Sequence, residues 1–156
     1  MKTNEKLVEV LNDLIEINND RAKGYEKATE EIKDLDVDLQ AIFQSMANDS
    51  RKYAAELIDE VNKLGGDFST DTTTSGKIYR MWMDVKATFT GHDRQSVLES
   101  CEYGEDAAQK AYTDALASDA EMSTEVRQLI VDQQATLKIA HNLVKKYRDL
   151  HYAVHS

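Results

Sequence analysis

The chain contains no proline and only six glycines in 156 residues. Proline costs about 3 kcal/mol and glycine about 1 kcal/mol in a helix interior, so their scarcity favours long helices. Hydrophobic residues make up 41% of the chain and charged residues 31%, a balance that suits amphipathic helices rather than disorder. The length is typical of one domain with its own core, and we expect residues 1–156 to form a single domain.

Four long segments carry apolar residues at steps of three and four, the spacing of one helix face. They predict helices over about residues 4–33, 36–64, 94–116 and 123–153. Gly65-Gly66 is expected to end the second helix. A polar, threonine-rich loop follows, and then a shorter helix whose apolar stripe is Ile78, Met81, Trp82, Val85 and Phe89. Trp82 in this short helix either packs onto the bundle or contributes to a dimer contact, and the second alternative rests on the enrichment of tryptophan and methionine at interfaces.

The connections between the predicted helices differ in length. Short turns join the first helix to the second and the third to the fourth, whereas about 30 residues separate the second from the third. A connection of that length lets the second and third helices run parallel, which short loops do not allow. The sequence therefore predicts two helical hairpins joined by a long crossover that carries a short extra helix.

Several short motifs support this topology. The motifs are Leu11-Asn12-Asp13-Leu14-Ile15-Glu16, Asp20, Gly24-Tyr25, Ala55-Glu56-Leu57, Leu64-Gly65-Gly66, Gly76, Arg80, Trp82, Cys101-Glu102, Gly104-Glu105-Asp106-Ala107-Ala108 and Tyr112. The likeness that they carry covers about residues 7–117 and extends more loosely into the last helix. In these motifs the chain resembles a bacterial ferritin-like four-helix-bundle family of unknown function, distantly similar to rubrerythrin and ferritin bundles. The resemblance implies an all-α, ferritin-like four-helix bundle and no established activity.

Charge and composition exclude several classes of partner. The net charge is -10 and the pI is about 4.8, and no basic stripe is available to neutralise nucleic-acid phosphates. No run approaches the roughly 18 apolar residues of a membrane span, and the first residues lack a signal-peptide pattern. We expect a cytoplasmic protein. Cys101, the only cysteine, lies near Glu99 and Glu102 and is predicted to be a packed core thiol rather than a nucleophile.

The most specific chemistry available to such a bundle is a di-iron carboxylate centre. That centre needs a glutamate from each of two helices and a Glu-x-x-His pair from each of the other two. None of the four histidines has a glutamate or aspartate three residues before it, so the required pairs are missing. The remaining candidate ligands are Glu26, Glu56, Glu105 and His141. No cofactor is favoured, and iron or another divalent metal is the alternative.

A layer of polar residues is predicted across the middle of the bundle. Buried tyrosine hydroxyls need hydrogen-bond partners, and a satisfied network fixes the register of packed helices. The residues expected in this bundle-interior network are Asn18, Tyr25, Tyr53, Glu105, Tyr112 and His141.

Two functions follow from this interpretation. The favoured one is a non-enzymatic helical bundle without an intact di-iron site, acting through self-association, as a homodimer, or through a partner protein. The alternative is a ferritin-like stress protein that binds iron, manganese or zinc through an incomplete set of carboxylates and histidine. Enzymatic activity is the less favoured class.

Overall fold

The computed structural model describes residues 2–32, 37–68 and 94–155. They form four helices, which are α1 (Lys2–Ile32), α2 (Val37–Lys63), α3 (Arg94–Ala117) and α4 (Thr124–His155). Each helix begins and ends within a few residues of its predicted bounds. The predicted crossover helix and Trp82 lie outside the described residues.

Two of the helix ends are set by local hydrogen bonds. The Ser123 hydroxyl accepts a 3.2 Å hydrogen bond from the Val126 amide, which caps the start of α4. After α2, the amide of Gly66 donates to the Val61 carbonyl and the amide of Gly65 donates to the Asn62 carbonyl. Gly65 has a φ of 75°, so this is a Schellman termination that needs a left-handed residue. The expected role of Gly65-Gly66 as a helix stop is confirmed.

The contacts between helices define an up-down-down-up bundle. Along α1, Asn18 contacts Ser50 on α2 and Tyr112 on α3, while Tyr25 contacts Phe43 and Glu105 closer to the start of α2 and α3. Both α2 and α3 are therefore antiparallel to α1 and parallel to each other. Helix α4 runs antiparallel to α3 and completes the second hairpin. The predicted topology of two hairpins with one long connection is confirmed.

The core is divided into two apolar clusters. The larger cluster contains Leu7, Val10, Leu11, Leu14, Ile15, Ile17, Tyr53, Leu57, Val61, Ala108, Tyr112, Ala115, Ala120, Val126, Ile130 and Leu137. The other contains Tyr25, Ala28, Ile32, Leu39, Phe43, Met46, Ala47, Val97, Leu98, Cys101 and Val144. Buried polar side chains lie at the junction of the two clusters. Across the part of the chain that the structure describes, no helix is long and apolar enough to cross a membrane.

Candidate functional site

A buried ion pair lies in the middle of the bundle. The Nε atom of Arg21 on α1 donates a 2.5 Å hydrogen bond to Oε1 of Glu105 on α3. The Arg21 side chain is 2% exposed and that of Glu105 is 0% exposed. A buried charge is tolerated only when it is paired and hydrogen-bonded, so each of these two residues depends on the other.

The rest of the Arg21 guanidinium faces α2 and a neighbouring ring. Its Nη1 atom donates to the Met46 carbonyl at 3.1 Å and to the Ser50 hydroxyl at 2.8 Å. Its central carbon lies 5.0 Å from the centre of the Tyr25 ring, within the range of a cation–π contact. Arg21 thus connects three helices through one cation.

A chain of hydrogen bonds continues from Ser50 to the other side of the bundle. The Ser50 hydroxyl donates to Oδ1 of Asn18 at 3.1 Å, and Nδ2 of Asn18 donates to the Tyr112 hydroxyl at 2.8 Å. The Tyr112 hydroxyl donates to Oε1 of Gln133 at 2.6 Å. Finally, Nε2 of Gln133 donates to Glu56 at 3.2 Å. Every one of the four helices contributes to this layer.

All these donors point away from the Arg21 cation. The chain runs from Arg21 through neutral groups to the half-buried carboxylate of Glu56, while Arg21 and the Tyr25 hydroxyl donate directly to Glu105. Hydrogen bonds aligned in one direction polarise one another and become stronger in a low-dielectric interior. The layer is therefore a single polarised unit with a cation at its origin and carboxylates at its ends.

Burial and the ion pair control the protonation of the groups in and beside this layer. Burial alone would lower the pKa of Arg21. The negative charge of the Glu105 carboxylate raises this pKa, and the net shift is upward, so the guanidinium stays charged. Burial, and then the negative charge of Glu105, raise the pKa of the Tyr25 hydroxyl and of the Cys101 thiol. Burial also raises the pKa of Tyr112. Cys101 is buried in the core, as the sequence predicted.

One carboxylate oxygen of the ion pair differs from the other. Oε1 of Glu105 accepts hydrogen bonds from both Arg21 and Tyr25. Oε2 of Glu105 is buried and has no hydrogen-bond partner within residues 2–32, 37–68 and 94–155. The ion pair neutralises the charge of Glu105, but the pair alone does not use all of its acceptor capacity.

The structure brings most of the predicted polar residues together. Asn18, Tyr25, Glu105 and Tyr112 all lie in the buried layer, and Tyr53 contributes its backbone carbonyl, which accepts a 3.3 Å hydrogen bond from Gln133. The prediction that His141 also belongs to this interior layer is wrong. The His141 ring is half-buried between α3 and α4, where its Nε2 atom lies 2.5 Å from Asp106.

The four candidate metal ligands from the sequence lie apart and have different partners. Glu26 is exposed and pairs with Arg51, whereas Glu105 is held by Arg21. Glu56 accepts from Gln133 at one end of the buried layer. His141 belongs instead to a separate group with Glu102 and Asp106, in which one ligand atom from each residue lies within 4.8 Å of the others.

Arg21 is the central residue of the site, and it is not among the site residues predicted from the sequence. A signal was available, since Arg21 lies three residues after Asn18 and four before Tyr25, on the same helix face. A charged residue on a face that is otherwise buried indicates a partner from another helix. That partner, Glu105, was identified as an interior residue, but its counter-ion was not.

The four-helix topology and its polar middle define a ferritin-like bundle. A solved structure of a Dps1 mutant from Mycobacterium smegmatis matches with a TM-score of 0.80 at 13% identity, covering 94% of this chain and 97% of that chain. A second, a ferritin-like, diiron-carboxylate protein from Bacillus anthracis str. Ames, matches with a TM-score of 0.68 at 18% identity, covering 96% and 98%. At these identities the likeness concerns the fold.

Within this class the chain belongs to the family described as a domain of unknown function, DUF2383, whose model matches residues 6–118. The resemblance predicted from the sequence, a ferritin-like family of unknown function, is confirmed. None of the curated proteins matches the chain.

Proposed function

We propose that this protein is a ferritin-like bundle whose interior is held together by an internal cation instead of a di-iron centre, and that it acts by self-association and not by redox catalysis. The observation that carries the proposal is the Arg21 guanidinium, buried in the bundle middle and paired with Glu105. A di-iron centre places its metal ions between the helices of such a bundle. Here a protein cation already neutralises the interior carboxylate.

Electrostatics supports the same conclusion. Two like charges a few ångströms apart in a low-dielectric interior repel each other by several kcal/mol. A guanidinium that is fixed by hydrogen bonds to α2 and α3 therefore opposes the entry of a divalent metal ion beside it. The chain also lacks the Glu-x-x-His pairs that would compensate for this repulsion.

The outer face of α4 has features suited to self-association. Ile139 is 69% exposed, and Leu150 follows three turns later on the same face with 52% exposure. In a two-fold, antiparallel pairing of two α4 helices centred on Ile139, residues equally far before and after it come opposite each other. Asp132 and Lys146, both exposed and each two turns from Ile139, would then form two symmetric ion pairs.

The absence of a core metal centre is tested by measuring iron. Protein purified without added metal is incubated anaerobically with Fe²⁺, separated from free ion and analysed for iron, and its oxidation of Fe²⁺ in air is followed. We expect Glu105→Gln to leave both measurements unchanged, as does the exposed control Glu26→Gln. Two tightly held iron ions per chain that are lost in Glu105→Gln, but not in the control, while circular dichroism shows that both variants keep their helices, would refute the proposal.

Self-association is tested by sedimentation velocity over a range of concentrations. We expect the native chain to form dimers and Ile139→Glu to sediment as a monomer. Val37→Glu is the matched control, because Val37 is 68% exposed and lies on α2 away from the proposed interface. Lys146→Asp is expected to weaken the dimer, and adding Asp132→Lys should restore it. A monomeric native chain, or equal effects of Ile139→Glu and Val37→Glu, would contradict this interface.

A further inference from the structure

We propose that Glu102, Asp106 and His141 form a binding site for one divalent transition-metal ion in the groove between α3 and α4. This site is separate from the buried layer and from the proposed α4 interface. One ligand atom from each of the three side chains lies within 4.8 Å of the other two. Two carboxylates and an imidazole are donors suited to Zn²⁺, Mn²⁺, Fe²⁺ or Co²⁺.

The helices position these donors for joint coordination. Glu102 and Asp106 are one turn apart on α3, so their carboxylates lie on the same face. His141 approaches from α4, and its Nε2 atom lies 2.5 Å from Oδ1 of Asp106. Ligands about 2.1 Å from a tetrahedral metal are about 3.4 Å from one another, so small side-chain rotations convert the present group into a metal site.

The other ring nitrogen of His141, Nδ1, faces a side-chain oxygen outside the group of three ligands. This Nδ1 atom lies 3.4 Å from Oδ1 of Asn142. Metal-ligating histidines usually donate their other N–H group to such an oxygen, which fixes the tautomer and leaves the first nitrogen free to bind the ion. Nε2, which faces Asp106, is then the ligating nitrogen.

Glu102, the third proposed ligand, is paired with Arg148 in the structure. The Nη1 atom of Arg148 pairs with Glu102, and its Nη2 atom pairs with Asp149 at 2.9 Å. A metal ion would displace Arg148 from Glu102, and Asp149 remains available to Arg148 after the exchange. Arg148 therefore competes with the metal for a single carboxylate, and its removal should strengthen metal binding.

The site remains accessible in the proposed dimer. His141 follows Ile139 by two residues, which turns it about 200° around the helix axis, away from the α4 outer face. Asp106 is exposed and gives an ion a path from solvent, whereas Glu102 and His141 are half-buried.

The test is titration of the full chain with Zn²⁺ by calorimetry, together with Co²⁺ absorption spectroscopy. We expect one ion per chain, with visible Co²⁺ bands that indicate nitrogen and oxygen ligands. His141→Ala and Asp106→Asn should each weaken binding about tenfold or more. Asp114→Asn is the matched control, since it removes the same charge from an exposed position on α3, and it should leave binding unchanged. Arg148→Gln should tighten binding.

The outcomes separate this site from the buried layer. Binding that survives His141→Ala, or that falls equally in Asp114→Asn, would mean an adventitious ion only and would overturn the proposal. No binding to the native chain would also overturn it, and would leave the proposed function intact. Binding lost in Glu105→Gln but retained in His141→Ala would refute both. Circular dichroism shows whether each variant keeps its helices. If His141→Ala or Asp106→Asn is unfolded, Glu102→Gln is used in its place.

Discussion

Arg21 on α1 and Glu105 on α3 form an ion pair that is closed off from solvent at the junction of the two apolar clusters. The two residues are 84 positions apart in the chain. Their contact joins the two helical hairpins in the part of the interior that lies between the two clusters. The internal structure of the bundle thus depends on one charge pair and on the hydrogen bonds that surround it.

Removing the cation should strongly destabilise the fold. Arg21→Met leaves the Glu105 carboxylate buried without a counter-ion, and we expect a loss of about 3–5 kcal/mol in the free energy of unfolding. Urea denaturation followed by circular dichroism measures it. Adding Glu105→Gln removes the unpaired charge and keeps an acceptor for Tyr25, so the double variant should recover most of the loss. Additive losses in the double variant would contradict a coupled pair.

The hydrogen-bond chain should behave as one unit. Tyr112→Phe removes the partner of Gln133 Oε1 and one of the two acceptors of Asn18 Nδ2, which keeps its bond to the Leu14 carbonyl. We expect a loss of about 1–3 kcal/mol. Ser50→Ala interrupts the chain on the other side of Asn18. In a double-mutant cycle the two changes should show a coupling energy above about 0.5 kcal/mol. Simple additivity in the denaturation data would show that the layer is a set of independent bonds.

Alkaline pH should destabilise the protein. The pKa values of Tyr25, Tyr112 and Cys101 are raised in the folded state, so these groups stay protonated while their unfolded counterparts ionise. The unfolded state then binds fewer protons, and stability falls as the pH rises above the ordinary pKa values of about 9–10. Tyr25 and Tyr112 should ionise, and add to the tyrosinate absorbance, only at pH values at which the helices unfold. Their titration in a fully helical protein would contradict the prediction.

The turn after α2 should tolerate no added methyl group at Gly66. A Cβ atom there would lie 2.7 Å from one methyl group of Val8 and 2.9 Å from the other. We expect Gly66→Ala to cost about 1–3 kcal/mol in thermal or urea unfolding. Val8→Ala removes both clashing groups, so the double variant should lose less than the sum of the single changes. At Gly65, where φ is 75° and the space is open, alanine is strained by its backbone alone, and Val8→Ala should give no rescue.

The helices and their ends were predictable because the signals are local. Apolar steps of three and four mark the faces, Ser123 caps α4, and Gly65 ends α2 through a backbone conformation that favours glycine. The parallel course of α2 and α3 was predictable from the length of the connection between them.

His141 shows why the site was only partly predictable. Successive steps of four residues each advance about 40° around a helix, so His141 is turned about 80° from Gln133, out of the core and toward α3. Val144 lies only about 20° from Gln133 and returns to the buried face. A stripe drawn through Gln133, Leu137 and His141 therefore leaves the interior at its last member.

The sequence by itself determined the long helices, their ends, the hairpin topology and the lack of Glu-x-x-His pairs, because each depends on residues close together in the chain. Only the tertiary structure decided that Arg21 faces Glu105, and that His141 meets Asp106 instead. Which side chains meet across a helix interface depends on the axial register and rotation of the packed helices, which follow from the packing of both apolar clusters. A cation near the start of the chain thus acquired its role from a carboxylate two helices away.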